Sequence, residues 1–142
     1  MTTRTARRGA REFALRALYE WQLSHNDVRD IRAGFEEDPE FAQSDAAYFR
    51  TLVDGVVAQS DALLAVIAPA LDRKPEALSP VERGILLIGA YELTNALAVP
   101  YRVIINEAVE LAKAYGGTDG YKYVNGVLDK LAAGLRPGER VR

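Results

Sequence analysis

Cysteine is absent from this chain of 142 residues, and histidine occurs only once, as His25. Without cysteine, the chain has no disulfide, no thiolate nucleophile and no cysteine-ligated zinc site. A single imidazole also excludes multi-histidine metal sites, and its place near a predicted helix end favours capping over catalysis. The glycine-containing runs lack the spacing of Walker or dinucleotide-binding loops. We therefore expect no catalytic residue, no metal and no cofactor.

Long apolar runs are also missing. No stretch approaches the roughly 18 uninterrupted apolar residues of a membrane-spanning helix, and no apolar signal core follows the first arginines. Apolar residues make up 49% and charged residues 27% of the chain, as in soluble globular domains and unlike disordered chains. We expect one domain, located in the cytoplasm and not associated with a membrane.

The apolar spacing is helical almost throughout, and no alternating run between hairpin turns indicates a sheet. This pattern predicts an all-α fold of about seven helices. The clearest helix start is Ser79-Pro80-Val81-Glu82, where an N-cap serine, a first-turn proline and a glutamate form a capping box. The helix that follows is apolar around much of its circumference, which predicts a central position.

The other predicted helices are shorter or less sharply bounded. The first runs over about residues 4–24, and a loop is expected over 38–44 before the third. The remaining starts and ends are marked by caps, prolines and glycines: a second helix from Val28 that stops before Pro39, a third from Ser44 or Asp45, a fourth from Ser60 or Asp61, a sixth that ends at Gly116-Gly117, and a seventh from Thr118 or Asp119 to about Gly134. The tail is expected to fray, and a division into two halves is expected near residue 75.

Positive charge is concentrated at the start of the chain. Residues 1–20 hold five arginines and two glutamates, a net charge of +3, so the remainder carries −5. Four of the arginines fall within one sector of the first helix, at Arg4, Arg7, Arg8 and Arg11. On the same wheel Leu15 and Tyr19 extend this sector, away from the buried stripe. Arginines beside an exposed aromatic suit single-stranded nucleic acid, although a solvated arginine-rich start fits the same pattern.

A second candidate cluster opens the last predicted helix, where Tyr121, Lys122 and Tyr123 follow the glycine pair. The small Gly126 on the same side permits a close approach by another chain. The alternative is that both tyrosines cover the edge of the core with their hydroxyls in water. The acidic residues form no comparable cluster, because Glu107 and its neighbours lack a matching set of metal ligands.

Several segments carry a family resemblance, which covers residues 4–136. They are ARRGAREFALRALYEWQLS, YFRTLVDGV, LSPVERGILLIGAYEL, VPYRVIINEAVELAK and YKYVNGVLDKLA. In this order and spacing they resemble the NusB family of bacterial transcription antitermination factors. The resemblance implies a non-catalytic protein of two packed helical subdomains, so that residues 1–142 form a single RNA-binding domain.

The resemblance also implies partners and site residues. Members of the family bind the boxA sequence of nascent RNA together with NusE, a ribosomal protein, and join the elongating RNA polymerase complex with other Nus factors during ribosomal RNA synthesis. The positions that match RNA-contacting residues are Arg4, Arg7, Arg8, Arg11, Lys122 and Tyr123. Tyr19 and Glu82 match the region where NusE docks, and Asp119 matches an acidic position beside the RNA.

Three alternatives stay open from the residues. A helical protein–protein adaptor without direct RNA contact would use the same arginines against an acidic protein surface. A homodimer would form through the surface offered to NusE. The Glu82 side chain either turns back to the Ser79 amide as part of the capping box or faces a partner. Separately, Gly9 interrupts the arginines and weakens the first helix by roughly 0.5–1 kcal/mol.

Overall fold

Helices account for every regular element that the structure describes. The structure is a computed structural model that describes the backbone of residues 3–140 and the side chains of residues 5–139. It contains seven α-helices over this range: α1 Thr3–Ser24, α2 Val28–Glu36, α3 Ala46–Ile67, α4 Pro80–Asn95, α5 Tyr101–Tyr115, α6 Gly120–Leu135 and α7 Pro137–Arg140. Short 3-10 turns lie at Pro39–Gln43, Ala68–Ala70 and Pro75–Ala77. The all-α prediction is confirmed.

The chain divides into two compact units, Met1–Ala58 and Gln59–Arg142. The expected division near residue 75 is therefore wrong, because the boundary lies inside α3. The break that we predicted at Ser60 or Asp61 is also wrong, since α3 continues through both residues. Leu63 and Ile67 are buried and continue the stripe of Val56 at helical spacing, so nothing in the apolar pattern interrupts the helix.

The helix α3 is unusually apolar for its length. The segment Ala46–Ala70 is long and apolar enough to cross a membrane by length and composition alone, with a mean hydropathy of 1.5. Asp54 and Asp61 interrupt it, and its buried residues repeat at helical spacing: Phe49, Leu52, Val53, Val56, Leu63 and Ile67. Burial confined to such a stripe is typical of a helix packed in a globular core.

Aromatic rings form the interior of the first unit. The rings of Phe13 and Phe41 meet edge to face at 5.2 Å between centroids, and Phe41 and Phe49 do so at 4.9 Å. His25 follows α1 with a left-handed backbone (φ 58°), and its N–H donates to Trp21 O at 2.9 Å. This residue therefore ends α1 through its backbone. Asp27 starts α2 by accepting the Arg29 N–H at 2.8 Å.

In the second unit α4, α5 and α6 pack against one another, with α4 at the centre as predicted. The approach between α4 and α6 is close at Gly89, where an added Cβ would lie 2.8 Å from both methyl carbons of Leu128. A second glycine, Gly116, ends α5 as predicted, because it is the C-cap and its N–H donates to Ala112 O at 2.8 Å. A Cβ there would lie 2.7 Å from the same oxygen, so the position favours glycine. The predicted start of α4 is also confirmed, with Ser79 as its N-cap.

The C-terminal segment is more ordered than the sequence indicates. The frayed tail that we predicted is wrong up to residue 140, because α7 spans Pro137–Arg140. The buried guanidinium of Arg136 donates to the carbonyl oxygens of Leu93 at 2.8 Å and Val99 at 3.0 Å. It also pairs with Glu139, whose Oε2 accepts the Tyr101 N–H at 3.0 Å. The tail is thereby attached to the end of α4 and the start of α5. Residues 141–142 lie outside the described part.

Candidate nucleic-acid interface

The first turns of α1 place their arginines over one aromatic ring. The guanidinium carbon of Arg7 lies 4.4 Å from the centroid of the Tyr48 ring, and that of Arg11 lies 5.4 Å from it. Both distances are within the range of a cation–π interaction. Tyr48 thus forms a platform under two of the predicted RNA-contacting residues. The side chain of Arg4 lies outside the described residues.

The start of α3 holds this platform against α1. The Asp45 carboxylate accepts the Tyr48 N–H at 3.0 Å, and the Asp45 N–H donates to Ala6 O at 3.0 Å. The predicted cap at Asp45 is therefore confirmed. A Cβ at Gly9 would lie 2.6 Å from Ser44 Oγ, so this glycine permits a close approach of the two segments. Its cost in helix propensity is accompanied by a packing role that the sequence did not reveal.

The arginines differ in their access to solvent. The Arg7 side chain is 39% exposed, and its Nε lies 3.8 Å from Asp45 Oδ2, which is longer than a hydrogen bond. Arg8 is half-buried. Arg11 is only 3% exposed, so the expectation that it stands on an open basic face is wrong. Its aliphatic part and charge are enclosed beside Tyr48, and the accessible positive charge lies at Arg7 and Arg8.

The predicted continuation of this face along α1 is half right. Tyr19 is 42% exposed, as expected of a surface aromatic. Leu15 is only 2% exposed, so its placement on the exposed sector is wrong. The buried face of α1 is wider than the stripe through Phe13 and Ala17, and it includes the sector that the arginines occupy one turn earlier.

In the second unit Tyr123 lies in a small cluster with the loop before α4. The Arg73 guanidinium carbon lies 4.2 Å from the centroid of the Tyr123 ring. The Asp72 N–H donates to the Tyr123 hydroxyl at 3.4 Å. Burial is the main cause that raises the pKa of Tyr123, whereas the hydrogen bond from Arg73 is the main cause that lowers the pKa of Asp72. Tyr123 is therefore a half-buried ring whose hydroxyl and one face are both in contact.

Lys122 is the exposed neighbour of that ring. Its Nζ lies 3.4 Å from Asp119 Oδ1 and 6.0 Å from the centroid of the Tyr121 ring. Lys113 Nζ lies 5.2 Å from the same centroid. Asp119 itself has a left-handed backbone (φ 64°) at the start of α6. The Tyr121 ring at the start of α6 thus lies between Lys122 of the same helix and Lys113 from the last turn of α5, with the Asp119 carboxylate beside Lys122.

Glu82 faces its own helix start. Its N–H donates to Ser79 Oγ at 3.1 Å, and the Ser79 hydroxyl donates to Glu82 Oε1 at 3.4 Å. The carboxylate therefore meets the Ser79 hydroxyl instead of the Ser79 amide that a capping box uses. Its other oxygen lies 3.5 Å from the position that a Cβ on Gly120 would take. The Glu82 side chain therefore stays at its own helix start, although not on the Ser79 amide as the capping-box alternative expected, and docking to NusE stays a prediction.

No group of three or more histidine, aspartate or glutamate residues is placed to hold a metal ion in the described part of the chain. Glu110, which lies three positions after Glu107, pairs with Lys113, whose Nζ is 3.6 Å from its Oε2. Glu36, at the end of α2, also forms an ion pair, since its Oε2 accepts a hydrogen bond from Arg50 Nε at 2.7 Å. These carboxylates act as partners of basic side chains.

Sequence reasoning missed Tyr48 and Arg73. Tyr48 lies off the buried stripe of α3, and Arg73 belongs to the charged DRKPE connection. These positions indicate that both side chains are exposed, but the sequence does not reveal which cation contacts the Tyr48 ring or which ring contacts the Arg73 guanidinium. The partner of each residue lies far away in the chain, so only the packing of the helices brings the pairs together.

Comparisons with known proteins agree with the fold. The model of the NusB family matches residues 8–133. Transcription antitermination protein NusB of Thiobacillus denitrificans is 56% identical over 134 residues, which cover 94% of this chain and 92% of that protein. The protein of the same name in Cupriavidus pinatubonensis is 52% identical over 136 residues, which cover 96% and 81%.

Solved structures give the same result. A crystal structure of antitermination factors NusB and NusE in complex with dsRNA contains a chain that is 25% identical, with a TM-score of 0.80. The match covers 94% of this chain and 99% of that chain. The family model spans most of the sequence, and the two relatives are more than half identical to it over the matched residues. The chain therefore belongs to the NusB family of transcription antitermination factors.

Proposed function

We propose that this protein binds boxA-type single-stranded RNA together with NusE and joins the elongating RNA polymerase complex with other Nus factors, supporting ribosomal RNA transcription. Residues 1–142 act as one RNA-binding domain. The protein acts in the cytoplasm by binding alone, without catalysis or a cofactor. A relative crystallised as NusB and NusE with dsRNA supports RNA and NusE as partners.

The observation that carries the proposal is the group of arginines at the start of α1, which lies over the Tyr48 platform. Arg7 is held over the Tyr48 ring and stays 39% exposed on its side chain, with Arg8 next to it. Positive charge at a helix N-terminus is opposed by the helix dipole, and arginines three and four positions apart repel one another. A bound polyanion relieves both effects, because each guanidinium then pairs with a phosphate.

The second contact lies at the start of α6. Lys122 is exposed there, and its neighbour Tyr123 contributes an aromatic ring. Lysine supplies charge to the backbone of the RNA, and stacking on unpaired bases supplies affinity with little dependence on salt. The RNA-binding residues that we propose are those expected from the sequence, with Arg11 supporting the site from its buried position beside Tyr48: Arg4, Arg7, Arg8, Arg11, Lys122 and Tyr123.

For the partner surface we propose that NusE docks at Tyr19 and Glu82. Tyr19 offers an exposed aromatic side chain. Glu82 has to exchange its contact with the Ser79 hydroxyl for one with the partner. A homodimer formed through this surface would compete with NusE, so adding NusE is expected to convert any dimer into a heterodimer.

The test is a titration of boxA-type single-stranded RNA over a salt series, with and without NusE. If about four phosphates are neutralised, log K falls with log salt at a slope near −3. The double variant Arg7→Ala, Arg8→Ala should flatten this slope by about 1.4. A matched control is Arg29→Ala, which removes an exposed arginine of the same unit that pairs with Asp27; its slope should equal that of the unchanged protein.

The adaptor alternative predicts the opposite pattern. In that case the protein binds NusE but shows no RNA binding at any salt concentration, and the two arginine substitutions weaken only the contact with the protein. An unchanged slope in the double variant, with RNA binding intact, would remove Arg7 and Arg8 from the RNA contact.

A further inference from the structure

One face of the Tyr123 ring is already covered in this structure. The Arg73 guanidinium carbon lies 4.2 Å from the ring centroid, within the range of a cation–π contact. Asp72 fixes the plane of that guanidinium, because Arg73 Nε and Nη2 donate to its two carboxylate oxygens at 2.7 and 3.4 Å. The Asp72 N–H in turn donates to the Tyr123 hydroxyl at 3.4 Å. The three residues thus form a closed set of contacts.

A base that approaches this face has two ways to bind. It can displace Arg73, which breaks the contact with the ring and both hydrogen bonds to Asp72. It can instead stack on the outer face of the guanidinium, which leaves all of these contacts in place. A guanidinium is planar and weakly hydrated, and it stacks on bases as aromatic rings do. The Arg73 side chain is 41% exposed, so solvent reaches it in this structure.

We propose that Arg73 is the group on which an RNA base stacks, with the Tyr123 ring as the platform beneath it. This inference rests on the proposed RNA-binding function, and it moves the stacked base from the Tyr123 ring to the outer face of the Arg73 guanidinium. Tyr123 then acts through Arg73, and Asp72 orients the guanidinium parallel to the incoming base.

The charges around the site favour a base over a phosphate. Asp72 already balances the charge of Arg73, because its two carboxylate oxygens accept hydrogen bonds from Arg73 Nε and Nη2. A cation whose charge is balanced by a carboxylate attracts phosphate weakly, whereas stacking does not depend on net charge. Arg73 should therefore contribute affinity without contributing to the salt dependence, in contrast to Arg7 and Arg8.

The test uses Arg73→Lys in the full chain. Lysine keeps the positive charge and loses the planar group. We expect the Kd for boxA-type single-stranded RNA to rise about five- to 150-fold at constant salt, with the slope of log K against log salt unchanged. The matched control is Arg102→Lys, because Arg102 is also exposed and lies 5.8 Å from the centroid of the Tyr101 ring. Its Kd should equal that of the unchanged protein.

Two outcomes would overturn the proposal. If Arg73→Lys binds RNA as tightly as the unchanged protein, the planar group is not needed. If Tyr123→Leu weakens binding more than Arg73→Lys, and the double variant is weaker than either single variant, the base stacks on Tyr123 directly. Failure of the unchanged protein to bind the RNA would instead overturn the proposed function, and this inference with it.

Discussion

The guanidinium of Arg136 joins three chain segments in the second unit. It donates to carbonyl oxygens of Leu93 at 2.8 Å, Val99 at 3.0 Å and Ala96 at 3.0 Å, at and just beyond the end of α4. The last carbonyls of a helix have no partner within the helix and need another donor when they are buried. We predict that Arg136→Met, which keeps an apolar side chain but removes every donor, strongly destabilises the fold.

The size of the effect follows from these carbonyl groups. A buried acceptor that loses its partner costs about 1–3 kcal/mol, and the Leu93 and Val99 carbonyls are both affected, whereas Ala96 O keeps the Val99 N–H at 2.9 Å. Part of this cost is offset because a charged group no longer has to be buried. We expect a loss of about 3–5 kcal/mol in the free energy of unfolding, which is a large share of the ~5–15 kcal/mol of a typical domain. At about 3 °C per kcal/mol, Tm should fall by about 10–15 °C.

Thermal unfolding followed by circular dichroism measures this change directly. Arg136→Lys should fall between the two proteins, because one ammonium group cannot reach acceptors in so many directions. The control is Arg102→Met, since Arg102 is exposed and donates to the hydroxyl of its neighbour Tyr101. Its Tm should change by no more than about 2 °C. A Tm for Arg136→Met within 2 °C of this control would refute the reasoning.

Three further results are expected. Tyr48→Leu should weaken RNA binding by about two- to fivefold because the two arginines above it lose their platform, whereas Tyr48→Phe should bind normally; equal binding by both variants in RNA titrations would exclude the ring contact. Gly89→Ala should lower Tm by about 2–4 °C because of the clash with Leu128, while the exposed Gly126→Ala, with open space around it, should raise Tm. The pKa of Glu139 is lowered, mainly by the hydrogen bond from the Tyr101 N–H and next by the Arg136 guanidinium. The stability that this carboxylate contributes is therefore complete above its ordinary pKa of 4.5 and is lost as the pH falls through its lower pKa in the folded state. In melting curves below pH 4.5, the Tm of Glu139→Gln should fall less than that of the unchanged protein, and equal falls would contradict this prediction.

Much of the local structure could be predicted from the chain alone. The start of α4 at Ser79 and the end of α5 at Gly116 depend on caps and close contacts within a few residues. Such interactions are local, so a serine before a proline or a pair of glycines is sufficient to indicate them. The helix break predicted at Ser60 is wrong, because a residue type that suits an N-cap does not start a new helix where the apolar stripe continues past it.

The sequence by itself determined the all-helical class, the family and the concentration of arginines at the start of α1. Only the tertiary structure decided which of these groups meet. It placed Arg7 over Tyr48 and Arg73 over Tyr123, and it buried Arg11 in spite of its charge. The reason is physical, since helix formation depends on neighbours three and four positions apart, whereas these contacts join residues that are brought together only by the packing of separate segments.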